Sequence, residues 1–223
     1  MKPLFCIALL TAAQAWGAIV TVNGSESADL PAWLISTGAS PTTAFPDVGA
    51  AEVSRTVGSL TFTAVGTQMY FGLPGNPGWS SLLSGAELAL NTENFDVAID
   101  SLVYSFGFLF HEPSGIGAPP DTCGNVAACT EGTFSVSLFN GIVPVGSLQF
   151  NATNDIAAFI GVHSSLGFNR VEIREIIGDF DNEYFGRFYT GAQPLPGGPV
   201  PEPSTYALVG SGVGLAALLR RRK

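Results

Sequence analysis

Between its two ends, this chain has almost no positive charge. The 223 residues carry nine Lys+Arg against eighteen Asp+Glu. Lys2 stands at the front, and Arg220, Arg221, Arg222 and Lys223 close the chain. Only four arginines (Arg55, Arg170, Arg174, Arg187) and no lysine lie between them, against at least seventeen acids. The middle therefore carries a net charge of about −13, which favours solubility and suits calcium or a cation-bridged polysaccharide matrix. It has no basic patch, which excludes nucleic acid and anionic membrane surfaces as partners. Histidine is scarce as well: His111 and His163 are the two in the chain. Neither sits in a helical H-E-x-x-H, so a zinc-protease site is missing. No G-x-S-x-G elbow occurs, and the glycine-rich stretch at 72–78 carries prolines and follows no strand–loop–helix unit, so it is no phosphate loop.

The front of the chain has the three parts of an export signal. Lys2 gives a positive start, residues 4–13 form a short apolar run, and Ala13-Gln14-Ala15 is a small-residue cleavage site. Cleavage after Ala15 is expected, with Gly17 and Ala18 as alternatives. Residues 1–15 then form a signal peptide that removes Cys6. Two of the three cysteines remain, Cys123 and Cys129, flanking five residues of a loop. A close pair in an oxidising compartment predicts one local disulfide. The C-x-x-C spacing of a catalytic dithiol is absent, and a zinc site would need two more ligands.

The other end is more specific. Pro201-Glu202-Pro203 breaks the chain, an uncharged run follows from Tyr206 to Leu219, and Arg220, Arg221, Arg222 and Lys223 form a basic stop. A short apolar run capped by cations inserts and halts with its basic end in the cytoplasm. This arrangement resembles the PEP-CTERM sorting signal, whose processing enzyme is the membrane protease exosortase. The resemblance covers residues 200–223 and implies passage through the export machinery, a transient inner-membrane anchor, cleavage near Pro201-Glu202-Pro203 and release to the cell envelope or extracellular space. The membrane helix is expected at 205–219, shorter than the roughly 20 residues of a full span. Residues 193–199, rich in proline and glycine, read as a flexible stalk.

The body between, residues 16–192, reads as all-β: one antiparallel, jelly-roll-like β-sandwich. Turn signals recur roughly every 8 to 12 residues, and 27 glycines with 15 prolines oppose long helices. Residues 59–65 and 95–100 alternate apolar with polar, whereas 102–110 is apolar on both faces and reads as a central strand. Residues 133–139 and 145–150 flank Asn140-Gly141, a hairpin signal of the primed type. Strands are expected again at 157–162, 170–177 and 184–189, and a short helix is an option at 81–90. The order resembles the sandwich body of PEP-CTERM proteins: an aromatic strand at 101–108, the hairpin, a strand at 159–162, Val171-Glu172-Ile173, then Asp181-Asn182. It departs from that pattern after Asn182, where Glu183-Tyr184-Phe185-Gly186-Arg187 follows. Such sandwiches are similar in architecture to carbohydrate-binding modules and lectins, and architecture alone assigns no function.

Two groups of residues carry candidate chemistry. Asp179, Asp181 and Glu183 alternate, so an extended backbone would aim all three to one side. Three readings stay open: a solvated acidic turn, a structural calcium site built on hard oxygen ligands, or the carboxylate pair of a glycoside hydrolase. Among the large rings, Trp79 and Tyr184 are candidate sugar contacts, since an apolar face with a polar tip suits a glycan. The expectation is an exported, non-catalytic envelope or matrix protein that associates with polysaccharide. The alternative is a carbohydrate-active hydrolase using the acids at 179–183.

Overall fold

The computed structural model describes residues 18–46, 48–73, 80, 82–90, 93–113, 129–178 and 183–196. All of its strand ladders are antiparallel, joined in one continuous sheet. In chain order the elements are β1 (Ile19–Gly24), α1 (Leu30–Thr37), β2 (Ser40–Pro41), β3 (Val48–Glu52), β4 (Ser54–Val57), β5 (Leu60–Ala64) and β6 (Met69–Gly72). They continue with β7 (Glu87–Leu90), β8 (Phe95–Glu112), β9 (Thr130–Asn140), β10 (Val143–Thr153), β11 (Ile156–Ile177) and β12 (Tyr184–Gly191). The expected all-β sandwich is present.

Two long strands turn the single sheet into two layers. The first part of β8, Phe95 to Ile99, pairs with β5 and with Arg170 to Ile173 of β11. Its later part, Ser105 to Glu112, pairs with Ile156 to His163 of β11 and with β12. Between these stretches both strands leave regular register, around Leu102 and between His163 and Arg170. Each strand thus crosses from one layer to the other, as strands that bend at a sandwich corner do. The sequence shows this as two strands each, 95–100 with 102–110 and 157–162 with 170–177. The gap in the pattern is the bend.

The core between the layers is aromatic. Phe62, Phe95, Phe108, Phe110, Phe134, Phe150, Phe185 and Phe188 all lie inside it, and each contacts at least one other ring. Most of these contacts are tilted or edge-on, the geometry favoured by the ring quadrupole. Alternation fixes which residues go in: along β10, Leu148, Phe150 and Ala152 are buried and the residues between them are exposed.

One layer is covered on its outer face too. Helix α1 starts with Pro31 in its first turn and ends at Gly38 in the left-handed conformation (φ 61°), the usual pairing of start and stop. It lays Leu30 and Trp33 on the outer face, against Leu109, Phe159, Tyr184 and Tyr189. Gly107 and Gly161, cross-strand partners, make room for this. A Cβ on Gly161 would meet Phe159 at 2.8 Å and the Trp33 ring nitrogen at 2.9 Å. Glycine inside a strand here marks the close approach of another element.

The hairpin β9–β10 turns through Gly141 and Ile142, with Asn140 paired to Val143. Gly141 has φ 60° and Ile142 does not share the positive sign, so glycine takes the first central position, the pattern of a type II′ turn. The turn is of the primed class, centred one residue later than Asn140-Gly141. The optional helix at 81–90 does not form: residues 82–85 are bends and β7 follows, because Leu88 and Leu90 alternate into the core with Ala89 outside. Among the described residues no helix is long and apolar enough to cross a membrane. The signal peptide at 1–15 and the membrane segment at 205–219 lie outside the described residues.

Candidate functional site

The inward-facing rows of the strands do not stay apolar to their ends. At one pole of the sandwich, the step after the phenylalanine layer is an acid or an amide. Two residues before Phe95 stands Glu93, two after Phe110 stands Glu112, two after Ile173 stands Glu175, and two before Phe185 stands Glu183. A step of two along a strand returns to the same face. Asn154 likewise continues the row Leu148, Phe150, Ala152 of β10. Glu93, Glu112 and Asn154 are fully buried, Glu183 is 1% exposed and Glu175 is half-buried.

The pairing brings these residues together. Carboxylate oxygens of Glu93, Glu175 and Glu183 all lie within 4.8 Å of one another. Tyr184 pairs with His111, so Glu183 and Glu112 are cross-strand neighbours one step further on. Glu112 also forms a bridge with Asn154, and its carbonyl accepts the Asp155 N–H at 2.8 Å. The Asn154 N–H donates to the carbonyl of Cys129 at 2.9 Å. Gly132, opposite Ala152, leaves space for this cap: a Cβ there would meet the Glu175 carboxylate at 2.9 Å.

A second polar group lies under the outer cover of the same layer. The Ser80 N–H donates to Glu87 at 3.1 Å, and the Ser80 hydroxyl is 2.7 Å from His111 Nδ1. That hydroxyl also accepts the Leu82 N–H at 3.0 Å, leaving its own hydrogen to point at Nδ1. Ser80, Glu87 and His111 are 4%, 0% and 5% exposed. Burial pushes the Glu87 carboxyl up to about 7, and lowers the His111 imidazole. The trio ties Ser80 to the sheet, and its three side chains are out of reach of solvent.

The ends of the body meet at the opposite pole. Ala18 and Ser165 exchange hydrogen bonds, the Ala18 N–H to the hydroxyl at 3.0 Å and the Ser165 N–H to the Ala18 carbonyl at 2.9 Å. The Leu195 N–H donates to the carbonyl of Ser164 at 3.0 Å. His163 Nε2 is 2.9 Å from the Gln193 carbonyl, which can only accept, so this nitrogen carries a proton. The described part of the expected stalk, residues 193–196, is therefore bonded to β11.

The sites expected from the sequence fall as follows. Pro201, Glu202, Pro203, the basic stop at 220–223, Cys123, Trp79, Asp179 and Asp181 lie outside the described residues. Cys129 stands just before β9, beside the acid-capped pole. Glu183 faces the interior, where its described carboxylate neighbours are Glu93 and Glu175. Tyr184 is 8% exposed and its ring lies 6.0 Å from that of His111, under the outer cover. It therefore shows no open face to a glycan. Glu93, Glu112, Glu175 and Asn154 were not singled out from the sequence. The available signal was an acid two residues beyond a buried aromatic at a strand end.

Residues 199–223 match the family model described as the PEP-CTERM protein-sorting motif. Comparison with the curated proteins found no match. Among solved structures, one similar chain is a mutant family 29 carbohydrate-binding module complexed with mannohexaose. It shows 11% identity and a TM-score of 0.40 over 70% of this chain and 94% of that one. Another is the xylan-binding domain from CBM 22, with 11% identity and a TM-score of 0.37 over 66% of this chain and 97% of that one. The chain carries a PEP-CTERM sorting motif at residues 199–223, behind an antiparallel β-sandwich body.

Proposed function

We propose that this chain is an exported, non-catalytic envelope or matrix protein whose tail holds it briefly in the inner membrane. Exosortase then cuts near Pro201-Glu202-Pro203, and the acidic sandwich body is released to associate with polysaccharide. The observation that carries this reading is the sorting motif matched at residues 199–223. The fold is consistent with it. Ala18 and Leu195 are bonded to adjacent residues of β11, so the chain enters and leaves the body at one pole. Pro201 lies five steps along the chain from Pro196, a reach of about 18 Å at most. The pole with both ends would face the membrane while the tail is inserted, and the acid-capped pole would face away.

The hydrolase alternative gains no support from the site. Glu183 faces the core at 1% exposure, where a polysaccharide does not reach. The Ser80–His111 pair is equally enclosed. A disulfide between Cys123 and Cys129 would suit the same export route, tying the loop before β9 to itself.

Expression in a host with exosortase tests the proposal. Envelope and medium fractions should hold a form lacking residues 220–223. A mature extracellular pool that retains them would overturn the processing step. A glycan array probed with the released protein, with and without calcium, tests the polysaccharide step. Absence of binding under both conditions would remove it.

A further inference from the structure

We propose that a divalent cation, calcium by its ligand chemistry, binds inside the acid-capped pole. Glu93, Glu175 and Glu183 supply carboxylates, and the amide oxygen of Asn154 adds a further oxygen ligand. This site is independent of the sorting and polysaccharide readings. Two separate observations carry it. The first is the meeting of three carboxylates within 4.8 Å at the end of a phenylalanine core.

The second observation is Asn154. Its side chain is fully buried, and among the described residues neither the amide oxygen nor the amide nitrogen has a hydrogen-bond partner. It follows the end of β10, and its backbone bridge to Glu112 holds it at the same pole. A buried amide left without partners is costly and marks a place where an ion or water belongs. An amide oxygen beside several carboxylates is the donor set of a hard cation that takes six to eight oxygens. Magnesium demands a tight octahedron and keeps its waters, which suits a closed, multi-carboxylate pole less well. Gly132 gives the cage its space, because any side chain there would displace Glu175.

The test uses the full-length chain purified in detergent and stripped with EDTA. Calcium chloride or magnesium chloride is then titrated in while thermal unfolding and binding heat are measured. Calcium should raise the melting temperature in a saturable way, and more than magnesium does. Glu93→Gln and Asn154→Ala should each weaken calcium binding by at least about tenfold. An identical melting temperature in EDTA and in calcium would overturn the proposal and leave carboxylates that share protons. An equal calcium response in the wild type and both variants would also overturn it, placing any ion elsewhere. If the variants fail to fold, elemental analysis of wild-type protein never exposed to EDTA decides: one calcium per chain is expected, and none overturns the site.

Discussion

Glu87 gives the body a dependence on pH that can be calculated and removed. Its side chain is fully buried, and it holds the Ser80 N–H at 3.1 Å under the outer cover. Loss of water raises its pKa from the ordinary 4.5 to about 7. The folded protein therefore binds this proton more tightly than the unfolded chain does. Between pH 4.5 and about 7 the folded state holds the proton and the unfolded state has released it. Stability must then fall as pH rises through that window, and level off above it. The shift of some 2.5 units corresponds to about 3 kcal/mol at 1.36 kcal/mol per unit. Glu87→Gln keeps an acceptor for Ser80 and has no proton to lose. The variant should gain about 3 kcal/mol relative to wild type between about pH 5 and about pH 8, or roughly 6–12 °C in melting temperature. His111 acts in the opposite direction: burial lowers its pKa, so its contribution grows as pH rises toward 6.5. Taking the difference between variant and wild type removes the His111 contribution and that of the acid-capped pole to first order. Urea unfolding of both proteins at the two pH values is the assay. Parallel stability curves for wild type and Glu87→Gln would refute the reasoning.

Other expectations follow from the same contacts. Gly161→Ala should destabilise by about 1–3 kcal/mol, because the new methyl meets Phe159 and Trp33 below 3 Å; an unchanged urea midpoint would mean that α1 is not seated there. Phe185→Ala should cost about 3–5 kcal/mol by opening a cavity among Phe95, Phe110 and Phe134, and near-wild-type unfolding would contradict this core. Cys123 and Cys129 should resist thiol labelling in exported, non-reduced protein and react after reduction, with a stabilisation of about 2 kcal/mol; labelling of both before reduction would exclude the bond. Replacing Pro201, Glu202 and Pro203 with alanine should trap the uncleaved chain in the membrane fraction, and normal release would show that the motif is not read.

The sequence reveals this fold where one physical rule acts alone. Strict alternation marks β5, β9 and β10, since one face is core and the other is water. The two long strands were harder. β8 and β11 change layers halfway, and the bend interrupts alternation in the way a chain break would. Helix α1 left only a faint trace, Pro31 at its start and Gly38 at its end. Eight residues show too little periodicity to stand out, and its place comes from packing on Gly107 and Gly161, two long-range contacts.

The acid-capped pole was hidden for a different reason. The alternation of Asp179, Asp181 and Glu183 drew the eye to neighbours in the chain. In the folded protein, the described partners of Glu183 are Glu93 and Glu175, which come from opposite ends of long strands. Their meeting depends on the register of β8 against β11 and of β12 against β8, and one step of slip would turn each acid to the other face. The phenylalanine layer sets that register, because Phe95, Phe110 and Phe185 can enter the core only in the observed alignment. The same aromatic packing that stabilises the sandwich thus brings the carboxylates together at its end. A cation there would bind across β8, β11 and β12 at once, so its contribution should appear as cooperativity of the whole body. In urea, calcium should move the midpoint of a single transition and leave its slope unchanged. A second, calcium-dependent transition would show that the pole folds apart from the core, and would break the link between register and site.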